Sequence, residues 1–182
     1  MRIDPASHTV VGVRFVPSPN FDERPESVPV SLVVVHNISL PPNEFGGPFI
    51  EQFFTNHLDS RAHPYFSEIA DQKVSAHILI RRDGEVVQFV PFNMRAWHAG
   101  KSEYKGCENC NDFAIGIELE GADETPYEEA QYAVLATLID SLRVVYPSLS
   151  KEDIVGHSDV APGRKSDPGL AFKWQDFREL LA

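Results

Sequence analysis

Cysteine is scarce in this chain, with two in 182 residues, both inside Cys107-Glu108-Asn109-Cys110. A single close pair cannot build a disulfide framework, and a structural zinc would need a second Cys pair or histidines at matching spacing, neither of which follows. A thioredoxin-like redox pair should open a helix after a strand. Here a loop-like segment, residues 100–106, precedes the pair and a strand pattern follows it, so the expectation is two reduced, incidental thiols. Basic residues are also in deficit, 16 Lys and Arg against 27 Asp and Glu for a net charge of −11. That balance excludes the broad basic face that a nucleic-acid partner requires. Long apolar runs are missing too: nothing reaches the roughly 18 residues of a membrane-spanning helix, so no membrane partner is expected. The first eight residues, Met1 to His8, lack the charged-then-apolar pattern of a secretory signal, and a cytoplasmic protein is expected.

What is present fits one domain over residues 1–182, a length that can bury a core without covalent staples. Residues 1–30 are rich in proline (Pro17, Pro19, Pro25, Pro29) and predict an extended N-terminal arm with little chemistry. Residues 31–35 form an apolar, mostly β-branched run, the pattern of a strand buried on both faces, which delivers His36 to its C-terminal rim. Pro48 should open a short helix carrying Phe49, Ile50, Phe53 and Phe54. Residues 74–80 and 85–90 flank Arg81-Arg82-Asp83-Gly84 and read as a β-hairpin. In the strand 113–120, Glu118 and Glu120 share one face with Ala114 and Gly116. A long helix is expected over 126–145, with Thr125 as N-cap and Pro126 in its first turn, and a short one over 173–181. This order of elements predicts an α/β single domain with a central mixed β-sheet flanked by helices.

The segment Gly156-His157 to Arg164-Lys165-Ser166-Asp167-Pro168-Gly169 carries the densest chemistry. A hydrolytic zinc takes three ligands from His, Asp, Glu or Cys and leaves one position open, and His36, His157 and Asp167 would supply that set. In a locally extended loop Lys165 projects to the side of Asp167, where its ammonium could face the oxygen of a polarised carbonyl. Glu118, mid-strand with Gly116 leaving room beside it, is the first choice as proton acceptor and Glu120 the second. Blander readings stand beside these. A lone His at a strand end is commonly a hydrogen-bonded structural residue, and a strand Glu is commonly solvated. His77, between Ala76 and Ile78 in an alternating strand, reads as a satisfied, buried histidine. Trp97, with His98 beside it, is either core or a platform for a sugar or peptide. His57 and His63 are expected to face solvent.

Several stretches together resemble a known family. These are Val35-His36-Asn37-Ile38-Ser39-Leu40-Pro41-Pro42 with Phe45-Gly46-Gly47, Val74-Ser75-Ala76-His77, Arg95-Ala96-Trp97-His98-Ala99-Gly100, Cys110-Asn111-Asp112-Phe113 with Ile115-Gly116-Ile117-Glu118-Leu119-Glu120-Gly121, and the Gly156-His157 and Arg164–Gly169 motifs. In this order, from about Arg14 to the C-terminus, the chain is similar to the cytoplasmic anhydromuramyl-L-alanine amidases of peptidoglycan recycling, within the wider zinc amidase and peptidoglycan-recognition family. The resemblance implies Zn2+ held by His36, His157 and Asp167, with Glu118 as general base and Lys165 near the oxyanion. It implies a muropeptide substrate, cut between the lactyl group of 1,6-anhydro-N-acetylmuramic acid and L-alanine. Asn37, Trp97, His98 and Ala99 then look like substrate contacts. Where the family often has an arginine before the cysteine of the Cys-Asn-Asp motif, this chain has Asn109, and it offers Lys73 as the basic residue for stem-peptide carboxylates. A further expectation is a local basic patch of Arg95, Lys101, Lys105, Arg164 and Lys165. Rival readings are a wall-fragment binder without activity, an exported amidase and a redox protein built on Cys107 and Cys110. In this fold a pure binder lacks a zinc ligand, and here none is missing.

Overall fold

The proline-rich N-terminus is built into the fold rather than laid over it. In a computed structural model that describes residues 1–182, the expected arm contributes four short strands: β1 (Ile3–Asp4), β2 (Thr9–Val10), β3 (Arg14–Phe15) and β4 (Phe21–Glu23). β1 pairs with β2, while β3 and β4 pair with strands far along the chain. Proline cannot donate to a ladder, which keeps such strands short and at edges. Just beyond β4, the Arg24 guanidinium reaches inward and donates to the carbonyls of Phe92, Asn111, Asp112 and Ala114.

The chain continues through β5 (Leu32–Ile38), α1 (Phe49–Phe54), α2 (Phe66–Ile69), β6 (Ile78–Ile80), β7 (Val86–Gln88), β8 (Met94–Ala96), β9 (Glu103–Tyr104) and β10 (Cys107–Glu108). It closes with β11 (Ala114–Glu120), α3 (Glu129–Val145), β12 (Ile154–Gly156), α4 (His157–Val160) and α5 (Trp174–Leu180). A six-stranded sheet in the order β12-β5-β11-β6-β7-β3 forms the centre. β12, β5, β11 and β6 run parallel, and β7 is antiparallel to β6 through the expected hairpin, where Gly84 takes a φ of +87°. The sheet is therefore mixed, as expected.

Parallel strands are covered on both faces, which is why β5 reads as an unbroken apolar run. Val33 and Val35 pack with Ile115, Ile117 and Leu119 against Leu135, Leu138, Ile139 and Leu142 of α3 and Phe177 of α5. Leu32 and Val34 point the other way, to Ala99, Ala114, Val155 and Val160. A separate cluster on the α1 and α2 side joins Ile50, Phe54 and Phe66 to Leu79, Val87 and Phe89. Helix α3 starts later than its proline predicts. Glu128 stays extended (φ −81°, ψ 149°) as the N-cap, and its N–H donates to Gln131 Oε1 at 3.1 Å. The residues ahead of it instead dock Tyr127, whose hydroxyl donates to the Pro168 carbonyl at 2.7 Å. Buried Gln131 also donates to the carbonyls of Ile80 and Glu120, tying α3 to the ends of two strands.

The topology decides where the chemistry lies. In α/β sheets, ligand sites form beyond the carboxyl ends of parallel strands. Here β5 runs two residues past His36, Glu118 of β11 lies in register with His36, and His157 follows directly on β12.

Candidate active site

Three side chains from opposite ends of the sequence converge at that edge. His36 Nδ1 lies 2.9 Å from His157 Nδ1, and Asp167 Oδ2 lies 3.1 Å from the first and 3.0 Å from the second. The two imidazoles are only 2% and 3% exposed, so the cluster is shielded from bulk water. His157 Nε2 sits 3.1 Å from the Ala99 carbonyl, a group that can only accept. The proton is therefore on Nε2, and the Nδ1 lone pair faces the cluster. The loop is clamped where Ser158 N–H donates to the Asp167 carbonyl at 3.0 Å. Gly156 allows the close approach, since a Cβ there would lie 2.8 Å from Pro168 Cδ.

Burial pushes His36 down to about 4, so it is a neutral donor of a lone pair at neutral pH. The cluster opens into a cavity of about 530 Å³ also lined by Asn37, Trp97, His98, Glu118, Asp123 and Lys165. Glu118 is buried and its Oε2 has no hydrogen-bond partner. Burial, and secondarily the negative charge of Asp167, push its carboxyl well above the usual range, with Lys165 opposing. A carboxyl whose pKa is raised in this way is suited to taking and returning a proton.

The structure brings together His36, His157, Asp167, Glu118, Lys165, Asn37, Trp97 and His98 around one cavity. Lys165 is an exposed residue of its lining. Asn37 donates to Asp123 Oδ1 at 2.8 Å and to the Pro168 carbonyl at 3.1 Å. The indole N–H of half-buried Trp97 donates to Asp22 Oδ1 at 3.1 Å, so the N-terminal arm does contribute beside the site.

Other expectations are corrected. Ala99 does not line the cavity: its side chain packs in the apolar cluster with Leu32 and Val34, and its carbonyl serves His157 and Arg164. Lys73 is exposed and stands outside the lining, between Gln72 and Val74, which belong to it. Glu120 is not free to act as a base, because it is buried and accepts from Arg81 Nη1 at 3.0 Å and from the Gly46 N–H at 2.7 Å. Gly116 leaves room for His98 rather than for Glu118, as a Cβ there would lie 2.3 Å from the His98 ring. The basic patch does not form as a unit. Arg95 is paired with Asp22 and Asp112, Lys105 with Asp153, and only Arg164 and Lys165 line the cavity.

Sequence reasoning missed the apolar wall of the cavity, formed by Phe53, Phe54, Tyr65 and Ile69. The signal lay in the helical spacing of Phe49, Ile50, Phe53 and Phe54, which reads equally as core. Cys107 is exposed, Cys110 is buried, and both are free thiols.

His77 is the satisfied core residue expected. Its Nδ1 accepts the Gly116 N–H at 3.0 Å and its Nε2 donates to the Met94 carbonyl at 3.0 Å. Burial first, and then the Arg24 guanidinium, push its pKa down to about 3. Between that value and the ordinary 6.5 the unfolded chain binds the extra proton, so stability falls as pH drops through this window. Urea titrations at pH 7.5 and pH 5 should show wild type losing about 2 kcal/mol more than His77→Asn across the interval. Equal losses would contradict this assignment.

The comparisons with known proteins bear on the same residues. The 1,6-anhydro-N-acetylmuramyl-L-alanine amidase AmpD of Escherichia coli K12 is 58% identical over 173 residues, covering 95% of this chain and 94% of the relative. The crystal structure of a selenomethionine derivative of AmpD superposes with a TM-score of 0.96 at 54% identity, covering 100% of both chains. A complex of the E. coli amidase AmiD with anhydro-N-acetylmuramic acid-L-Ala-D-γ-Glu-L-Lys matches at a TM-score of 0.61 and 25% identity, over 88% of this chain and 65% of that one. The N-acetylmuramoyl-L-alanine amidase family model matches residues 26–170, a span that contains all three converging side chains and Glu118, and the chain belongs to that family.

Proposed function

We propose that this chain is a zinc-dependent amidase that hydrolyses the amide between the lactyl group of 1,6-anhydro-N-acetylmuramic acid and L-alanine in muropeptides, in cytoplasmic peptidoglycan recycling. The observation that carries the reading is the convergence of His36 Nδ1, His157 Nδ1 and Asp167 Oδ2 beside an unpaired, buried Glu118. With their protons on Nε2, the two imidazoles and the carboxylate turn three lone-pair atoms about 3 Å apart toward one point, a donor cluster that a cation would fill. Their separations also suit zinc: bonds of roughly 2.0–2.1 Å in a tetrahedron place donors about 3.3 Å apart. Two nitrogens and one carboxylate form a donor set that zinc accepts readily. When bound, the ion supplies Lewis-acid polarisation of the carbonyl and acidifies water.

The chain's own groups supply the rest. The Glu118 carboxylate takes the proton of the attacking water and passes it to the L-alanine nitrogen as that nitrogen leaves. The exposed Lys165 ammonium stabilises the negative charge that develops on the lactyl carbonyl oxygen. Asn37 and Trp97, held by Asp123 and Asp22, offer an amide and an aromatic face to the substrate. The muropeptide is the small-molecule partner in this account. No helix is long and apolar enough to cross a membrane.

Mass spectrometry of an anhydromuropeptide digest tests the reading. It should show anhydro-N-acetylmuramic acid and the free stem peptide. An unchanged substrate mass would mean a binding module, and faster cleavage of reducing-end muropeptides would point to an enzyme of intact wall.

A further inference from the structure

An imidazole that presents the lone pair of one nitrogen to a metal carries its proton on the other, and that proton needs an acceptor to fix the tautomer and the ring plane. The two histidines of the cluster meet this requirement differently. For His157 the acceptor is the Ala99 carbonyl. For His36, whose Nδ1 faces the cluster, Nε2 lies 3.0 Å from the Nδ1 of His98, a second buried imidazole.

We propose that His98 is a positioning residue of the metal centre: its Nδ1 lone pair accepts the His36 Nε2–H and keeps His36 Nδ1 aimed at the ion. This inference rests on the zinc reading above. The surroundings hold His98 in place for the task. Asn111 Oδ1 accepts both the His98 N–H at 3.1 Å and the Ala99 N–H at 2.8 Å, and so sets the outer partner of each histidine from one buried amide. The His98 ring lies against Gly116, where any side chain would collide with it. The His36 and His98 rings meet edge to face, with centroids 5.1 Å apart and an interplanar angle of 83°. With Nδ1 accepting, the His98 proton falls on Nε2, a buried atom with no partner. The Nδ1 of His98 is thus engaged with His36 and unavailable to substrate.

The test measures zinc affinity of the full-length, chelator-stripped protein by competition with a chromophoric chelator. Wild type is compared with His98→Leu, which fills the space without an acceptor, and with His98→Asn, whose amide oxygen occupies the place of Nδ1. Loss of the outer acceptor should weaken zinc binding by about 10–100-fold in the leucine variant, and asparagine should recover most of that loss. Leucine binding zinc as tightly as wild type would overturn the proposal. So would leucine and asparagine weakened alike, because packing alone would then explain the defect. Independently of any variant, long-range 1H–15N spectra of zinc-loaded wild type should show the His98 proton on Nε2, and a proton on Nδ1 would overturn the assignment. A wild type that takes up no zinc sinks the metal reading and this inference together, whereas tight zinc binding in both wild type and leucine variant sinks the inference alone.

Discussion

Glu118→Gln should keep one zinc per chain and lose about 10²–10⁴-fold in kcat, the span that a positioned general base contributes. Glutamine matches the shape of glutamate but cannot take the proton of the attacking water. Because Glu118 touches none of the three converging atoms through a hydrogen bond, its replacement leaves the donor set intact. A stability signature accompanies the kinetic one. Glu118 is a buried carboxyl with an unpaired oxygen, an arrangement that costs folding energy and persists where function needs it. With both proteins stripped of zinc, the glutamine variant should therefore melt at or above the temperature of wild type, while being nearly inactive when loaded. Full activity in Glu118→Gln would remove the base assignment. Zinc loss in the same variant would mean that Glu118 supports the metal instead.

The second large effect is expected at the cluster itself. His157→Ala should lose stoichiometric zinc, and turnover should fall at least about 10³-fold, the equivalent of the several kcal/mol that a Lewis acid supplies. The cause is local: alanine removes one of three donors, the one whose ring the Ala99 carbonyl orients. Zinc should raise the melting temperature of wild type, because an ion that binds only the folded state stabilises it by mass action. The variant should show no such rise. Calorimetric scans with and without added zinc, paired with metal analysis, measure both effects. An unaltered zinc-dependent rise in His157→Ala would place the metal elsewhere.

Much of this site was legible because the local signals agreed with the fold. The apolar runs of β5 and β11 are forced by burial on both sheet faces, and each delivers a functional residue, His36 or Glu118, to the same edge. The Gly156–Gly169 segment carries His157, Lys165 and Asp167 in one short stretch of sequence, so its chemistry is visible without knowledge of the fold. The misreadings share a cause, which is dependence on partners distant in sequence. The strands at Arg14 and Phe21 exist because β7 and β8 offer edges for pairing. The start of α3 is set by Glu128 and Gln131 rather than by Pro126, since Tyr127 has a docking site on the Pro168 loop. Glu118 and Glu120 share a strand face in sequence, yet only a tertiary contact with Arg81 removes Glu120 from the chemistry. Ala99 reads as a substrate contact from the motif, while the structure turns its carbonyl to His157 and packs its side chain in the core.

The central claim is that His36, His157 and Asp167 grip one zinc ion. The most direct measurement is anomalous diffraction from crystals of the zinc-loaded protein, recorded above and below the zinc absorption edge. The account predicts a single strong peak among His36 Nδ1, His157 Nδ1 and Asp167 Oδ2. A peak held by other side chains, such as Cys107 and Cys110, or no peak at these three atoms in fully loaded protein, would contradict it.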